Sequence, residues 1–125
     1  MIWQFFLVGV GGAIGACARF GSGMLTRYYF SDSWPLATLL VNVLGSLGIG
    51  VVFVLLERQL LHGDLRALLV VGFFGAYTTF STVSLELFQM LERGELSQSL
   101  IYAGLSVSSC VMGAALGIIA ARALT

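Results

Sequence analysis

Gly72-Phe73-Phe74-Gly75-Ala76-Tyr77-Thr78-Thr79-Phe80-Ser81-Thr82 decides the fold of this chain, because it lies at the centre of an apolar run, Leu65 to Leu91, yet reads unlike a helix. It holds two glycines, four aromatics and, beside Tyr77, four hydroxyl residues. Glycine and β-branched threonine weaken a helix, and hydroxyls compete for its backbone carbonyls. A break is therefore expected here. Irregular backbone at bilayer depth persists only where protein covers it or a polar cavity meets it. Freed carbonyls at such a place suit a cation, and half-helix N-termini suit an anion.

Three more runs of membrane-spanning length flank this one: Ile2 to Met24, broken only by Arg19, Leu36 to Leu56, and Leu100 to Leu124. A hydrocarbon core of about 30 Å takes roughly 20 helical residues, so each run spans it. The expected fold is an all-α membrane protein, one domain of four transmembrane helices with a break in the third. Composition agrees, with 58% hydrophobic and only 10% charged residues among 125 and a mean hydropathy of +0.99. A water-soluble domain carries about a quarter charged residues. Run one has no basic start and carries Arg19 where a cleavable segment needs an uncharged centre, so it reads as a retained helix.

The connections carry turn and capping residues. Ser31-Asp32-Ser33-Trp34-Pro35 offers N-cap side chains and a proline for the first turn of the second span, with Trp34, Tyr28 and Tyr29 suited to the headgroup belt. Asp64 is a candidate cap for the third span, Gly94 ends it, and His62 reads as a solvated loop residue.

Six arginines, with no lysine, balance six acidic residues. Nothing basic is offered to a nucleic acid. Cys17 and Cys110 have neither the spacing nor the histidine neighbours of a zinc site. Placed on four spans, Arg58, Arg66 and Arg122 fall on one side and Arg19, Arg27 and Arg93 on the other, which leaves the positive-inside rule without a preference. The expectation is dual topology, with two oppositely oriented copies paired as an antiparallel dimer about an axis in the membrane plane.

Small residues at four-residue spacing mark packing faces, Gly11 and Gly15 before Arg19 in run one and Ser109, Gly113, Gly117 and Ala121 in run four, and run two adds the small residues Gly45, Ser46, Gly48 and Gly50. A second stripe of run four, Tyr102, Ser106 and Cys110, is too polar to face lipid without partners; it forms either interhelical hydrogen bonds or the lining of a pathway.

Gly11-Gly12-Ala13-Ile14-Gly15-Ala16 with Arg19, Asn42 within Thr38-Leu39-Leu40-Val41-Asn42, and Gly72 through Thr82 together resemble the Fluc/CrcB fluoride channels over the whole chain. The resemblance implies passive export of fluoride across the cell's inner or plasma membrane, with two pathways through an antiparallel dimer and a structural sodium ion at its centre. It implies sodium ligation by the backbone carbonyls of Gly75 and Thr78. The pathway it implies runs past the Asn42 amide, the ring edge of Phe80, and Ser81 and Thr82, along a polar track of Thr38, Glu86, Tyr102 and Ser106. Arg19 is implied to attract anions to a vestibule or to hold helix ends. The chain departs from the family at Val83, where a second pore phenylalanine is expected, and at Ala76, Cys110 and Ala114. Either a second copy or a homologous chain is the expected partner, with fluoride and the lipid bilayer as the other partners. No nucleophile with a base, nor any nucleotide loop, marks an enzyme. The alternative is a small multidrug resistance exporter, which is also a four-span antiparallel dimer but needs a carboxylate in its first span.

Overall fold

The computed structural model describes residues 1–125, with helices joined by short loops and no strand. Helix α1 covers Ile2–Tyr29 and α2 covers Leu36–Glu57. The third span comes in two pieces. Arg66–Phe74 winds with wide π-helical hydrogen bonding and passes into one α-helical turn, Gly75–Tyr77; the two stretches together are α3. After two extended residues, α4 runs from Phe80–Glu92. Helix α5 is Leu96–Leu124. Four helical stretches are thus long and apolar enough to cross a membrane, and the chain is a multi-pass membrane protein.

Two of the helices outrun the expected spans. At 1.5 Å per residue, α1 is about 42 Å long, well beyond the hydrocarbon core. It continues past Met24 through Arg27, which sits in its last turn. Arg19 is thereby ten residues inside the helix instead of at its end, and the arginines flanking the spans divide three against two. Helix α5 begins at Leu96, so the polar Ser97, Gln98 and Ser99 are helical, and Ser99 is buried.

The caps also differ from expectation. Pro35 itself is the N-cap of α2, with no side-chain cap bond, while Ser31 and Ser33 bond each other at 2.7 Å in the turn. Leu65 holds the N-cap position before α3, and Asp64 instead lies 3.7 Å from His62 in an exposed loop. Gly94 does end the third span: its φ of +74° and the bond from Glu95 N–H to the Met90 carbonyl close the helix with a left-handed residue.

Glycine sets the packing. Helix α1 lies against α3, where a Cβ at Gly11 or Gly15 would enter the backbone of Leu68 and Phe73, and one at Gly72 would come 2.8 Å from the Val8 carbonyl oxygen. Helix α2 lies along α5 through Gly50, Gly113 and Gly117, each touching backbone of the facing helix. Helix α4 leaves α1 and packs on α5 around Val83, Met90 and Tyr102, with Trp34 and Leu87 at the rim. The two-residue break is what carries the chain from one partner helix to the other. Only 18 of 125 residues are buried, and rings such as Phe5, Phe20, Phe53, Phe80 and Phe88 stay exposed. A protomer with so little core depends on contacts outside itself.

Candidate functional site

The break is built from hydroxyls and one amide. Thr78 and Thr79 are extended, with ψ of 160° and 118°, so the helical ladder stops at Tyr77. Thr79 is the N-cap of α4: its Oγ1 accepts the Thr82 N–H at 3.2 Å and donates to Thr82 Oγ1 at 3.1 Å, with Ser81 Oγ also 3.1 Å away. Across the bundle, the buried Asn42 on α2 grips the same residue twice. Its Oδ1 accepts the Thr79 N–H at 2.8 Å, and its Nδ2 donates to the Thr79 carbonyl at 3.0 Å. Both backbone groups of one non-helical residue are thereby satisfied by one side chain. One N–H of the amide remains free for another acceptor.

On the other side of the break, the carbonyls of Gly75 and Thr78 accept no hydrogen bond, while the Thr78 hydroxyl folds back to the Phe74 carbonyl at 2.8 Å. Gly75 is exposed on the protomer surface and Thr78 is half-buried. Two uncommitted carbonyl oxygens at a helix end are hard ligands of the kind an alkali cation takes. The residues present therefore fit such an ion, though two carbonyls alone do not fill its coordination shell.

A polar track leads from this point toward the end of the bundle that holds Trp34. Glu86 on α4 receives the Thr38 hydroxyl at one carboxylate oxygen and the Tyr102 hydroxyl, at 2.9 Å, at the other. Tyr102 is fully buried. One helical turn along α5, Ser106 is 8% exposed and its Oγ is the one buried side-chain polar atom with no partner. An unpaired hydroxyl at bilayer depth is costly unless an acceptor reaches it. Ser106, Cys110 and Asn42 line one cavity of about 350 Å³ together with Phe80 and Val83. The polar stripe of α5 thus faces protein at Tyr102 and a cavity at Ser106 and Cys110.

The two positions expected to carry aromatic rings differ sharply. Phe80 is 76% exposed at the start of α4, a large ring projecting from the protomer beside the break. Val83 is 3% exposed and belongs to the core with Met90 and Tyr102, meeting the cavity only from its inner side. Ser81 is exposed and Thr82 half-buried.

Arg19, half-buried on α1, lines a second cavity of about 380 Å³ whose far wall is Thr38, Thr79 and Thr82. It caps no helix end, since no hydrogen bond or ion pair ties it down; the protomer's pairs are Arg93 with Glu95, Arg122 with Glu57, and His62 with Asp64. The α4 N-terminus opens toward this cavity through Thr79 and Thr82, and its positive dipole end favours an anion.

The structure thus gathers Asn42, Phe80, Val83 and Ser106 about one cavity, and Arg19, Thr38 and Thr82 about the other, with Glu86 and Tyr102 joined to Thr38 behind it. Sequence reasoning missed Thr79, the residue on which the site turns. A Thr three residues before a second hydroxyl, at the start of an apolar run, is an N-cap pattern that could have found it.

Comparison with known proteins agrees over nearly the full chain. The family described as "CrcB-like protein, Camphor Resistance (CrcB)" matches residues 6–118. A protein of Bordetella petrii named "Fluoride-specific ion channel FluC" is 43% identical over 122 residues, 97% of this chain and 93% of its own length. Proteins of the same name from Coxiella burnetii and Idiomarina loihiensis are 39% identical over 122 residues and 38% identical over 111. They cover 94% and 89% of this chain, and 97% and 86% of their own lengths.

Proposed function

The chain belongs to the CrcB family, and from that membership and the site's geometry we propose how it conducts fluoride. It is a multi-pass fluoride channel, a transporter and not an enzyme. Fluoride that accumulates in the cytoplasm leaves across the cell membrane down its electrochemical gradient.

The observation that carries the mechanism is the single break, which turns two opposite helix ends toward opposite charges. Fluoride enters by the Arg19 cavity, where the α4 N-terminus and the Thr82 hydroxyl, whose own proton is uncommitted, replace part of its water. The second cavity offers the free N–H of Asn42, the Ser106 hydroxyl and the edge of Phe80, where the ring's quadrupole is positive. No fixed cation lines this second cavity, so an anion can leave as readily as it arrives. Glu86 accepts the hydroxyl protons of Thr38 and Tyr102 and so fixes both side chains beside the track. Val83 leaves one aromatic contact to be supplied by Phe80 of either copy.

Two oppositely oriented copies complete the channel. Pairing through the exposed Phe80 and Gly75 surface covers the ring and brings four carbonyl oxygens, from Gly75 and Thr78 of each copy, to one point. A sodium ion held there would supply fixed positive charge that ties the two breaks together. The exporter alternative requires an acid in the first span, and α1 has none.

Proteoliposomes read with a fluoride electrode test this proposal. The wild type releases fluoride once a potassium ionophore clears the charge, and releases no chloride. Phe80→Ile keeps the fold of each copy, since the ring lies outside its core, and keeps an apolar side chain at the pairing surface, so the dimer's elution profile is unchanged while its flux falls to background. Wild-type flux in that variant would remove Phe80 from the pathway.

A further inference from the structure

The mouth of the first cavity holds a second guanidinium to which nothing above gives a role. Arg27 lies two helical turns after Arg19 on α1 and lines the same cavity. It also lines a neighbouring cavity of about 300 Å³ that reaches Glu86, Gln89 and Arg93; Arg27, Ala37 and Thr38 are shared by both. Between the two arginines sits Gly23, which is buried. A Cβ at Gly23 would lie 3.3 Å from Arg27 Nη1 and 3.5 Å from Nη2, so the guanidinium lies back along α1 over the bare glycine, toward Arg19. Helical side chains lean toward their own N-terminus, and the missing side chain at Gly23 leaves room for that lean.

Neither guanidinium has an ion-pair partner in the protomer, and the wall of the cavity they share contains no carboxylate; its other polar side chains are Thr38, Thr79 and Thr82. The neighbouring cavity does contain Asp32 and Glu86, and Arg27 pairs with neither. Like charges on one helix face repel. Two cations on one face, beside hydroxyls and a helix N-terminus, make a place that favours a small anion.

We propose that Arg27 extends the Arg19 cavity outward as an entry residue that captures fluoride before it reaches Arg19, with Gly23 as the positioning residue that keeps the Arg27 guanidinium tilted inward. The inference rests on the fluoride-channel reading and adds where the ion is first captured. A charged mouth lined by protein raises the local concentration of its ion, and the gain is lost as salt screens it. The Debye length falls from about 30 Å at 0.01 M to about 3 Å at 1 M, so the effect has a signature that a misfolded mouth lacks.

The test is fluoride efflux from proteoliposomes at fixed fluoride, with ionic strength set by an impermeant salt. At about 0.01 M ionic strength Arg27→Gln is expected to run about threefold slower than the wild type, and at about 1 M the two converge. Arg27→Lys keeps most of the low-salt rate. Gly23→Leu displaces the guanidinium and gives the same salt-dependent loss, and in the double variant with Arg27→Gln it adds nothing further. Equal rates for Arg27→Gln and wild type at low salt would overturn the proposal, as would a deficit of equal size at both ionic strengths. A wild type that passes no fluoride under any salt would instead overturn the channel reading itself, leaving the two failures distinct.

Discussion

The two halves of the third span are built on opposite rules. Helix α3 is held by backbone contact: Gly72 meets Gly11 and the Val8 carbonyl, and Gly15 faces the Phe73 backbone, with no side-chain hydrogen bond between α3 and α1 apart from Tyr77 to Ser22 at 3.2 Å. Helix α4 is held by side chains, through the Thr79 cap, the Asn42 amide and the Glu86 carboxylate. A π-helical segment is wide, and only glycines opposite it let two backbones meet. The difference teaches where change can be tolerated. Contacts between backbones cannot repack, whereas polar side chains along a cavity can trade partners with a passing ion.

Four substitutions would break or sharpen that contrast. Gly15→Leu should be the most damaging, because its Cβ enters the Phe73 backbone and no flexible side chain can yield; a loss above about 3 kcal/mol is expected, read as disappearance of the monodisperse protein in detergent. Next comes Asn42→Leu. It strands both backbone groups of Thr79 away from water and should lower stability by about 2–4 kcal/mol, with faster hydrogen exchange at the Thr79 amide as its local mark. Val83→Phe adds a ring to a packed core beside Met90 and Tyr102 and should cost about 1–3 kcal/mol in thermal unfolding. Unchanged melting there would mean that α4 can turn its Val83 side into the cavity. Ser106→Ala is the smallest, and its sign is the informative part: removing an orphaned hydroxyl should leave stability level or raise it by about 1 kcal/mol while fluoride flux falls. A fall in stability instead would make Ser106 a structural hydrogen-bonding group.

The spans were legible because bilayer thickness imposes a length, and composition alone reveals runs that meet it. The weak centre of the third span was legible too, since Gly75, Thr78 and Thr79 each disfavour a helix for local reasons. What holds Thr79 was not: its partner lies 37 residues away on another helix, and no local pattern records that distance. Val83 shows the converse error of reading by spacing. One turn from Phe80 it sits on nearly the same face, yet α5 covers it and leaves Phe80 bare, which only the packing decides. Arg27 reads as lying beyond the apolar run, which ends near Met24, whereas the helix continues to Tyr29 and places the guanidinium in a cavity wall. The ends of α1 and α5 were missed because polar residues such as Ser97 remain good enough helix formers beyond the membrane core.

The Asn42 clamp has a consequence for the order in which the protein is made. Synthesis runs from the N-terminus, so α2 emerges and enters the bilayer before Thr79 does. The amide is thus waiting when the third span arrives with a stretch of backbone that lipid would reject. A reversed order would expose the unpaired Thr79 groups to hydrocarbon until a later helix came to meet them. The receptor for the weakest point of the chain is translated first.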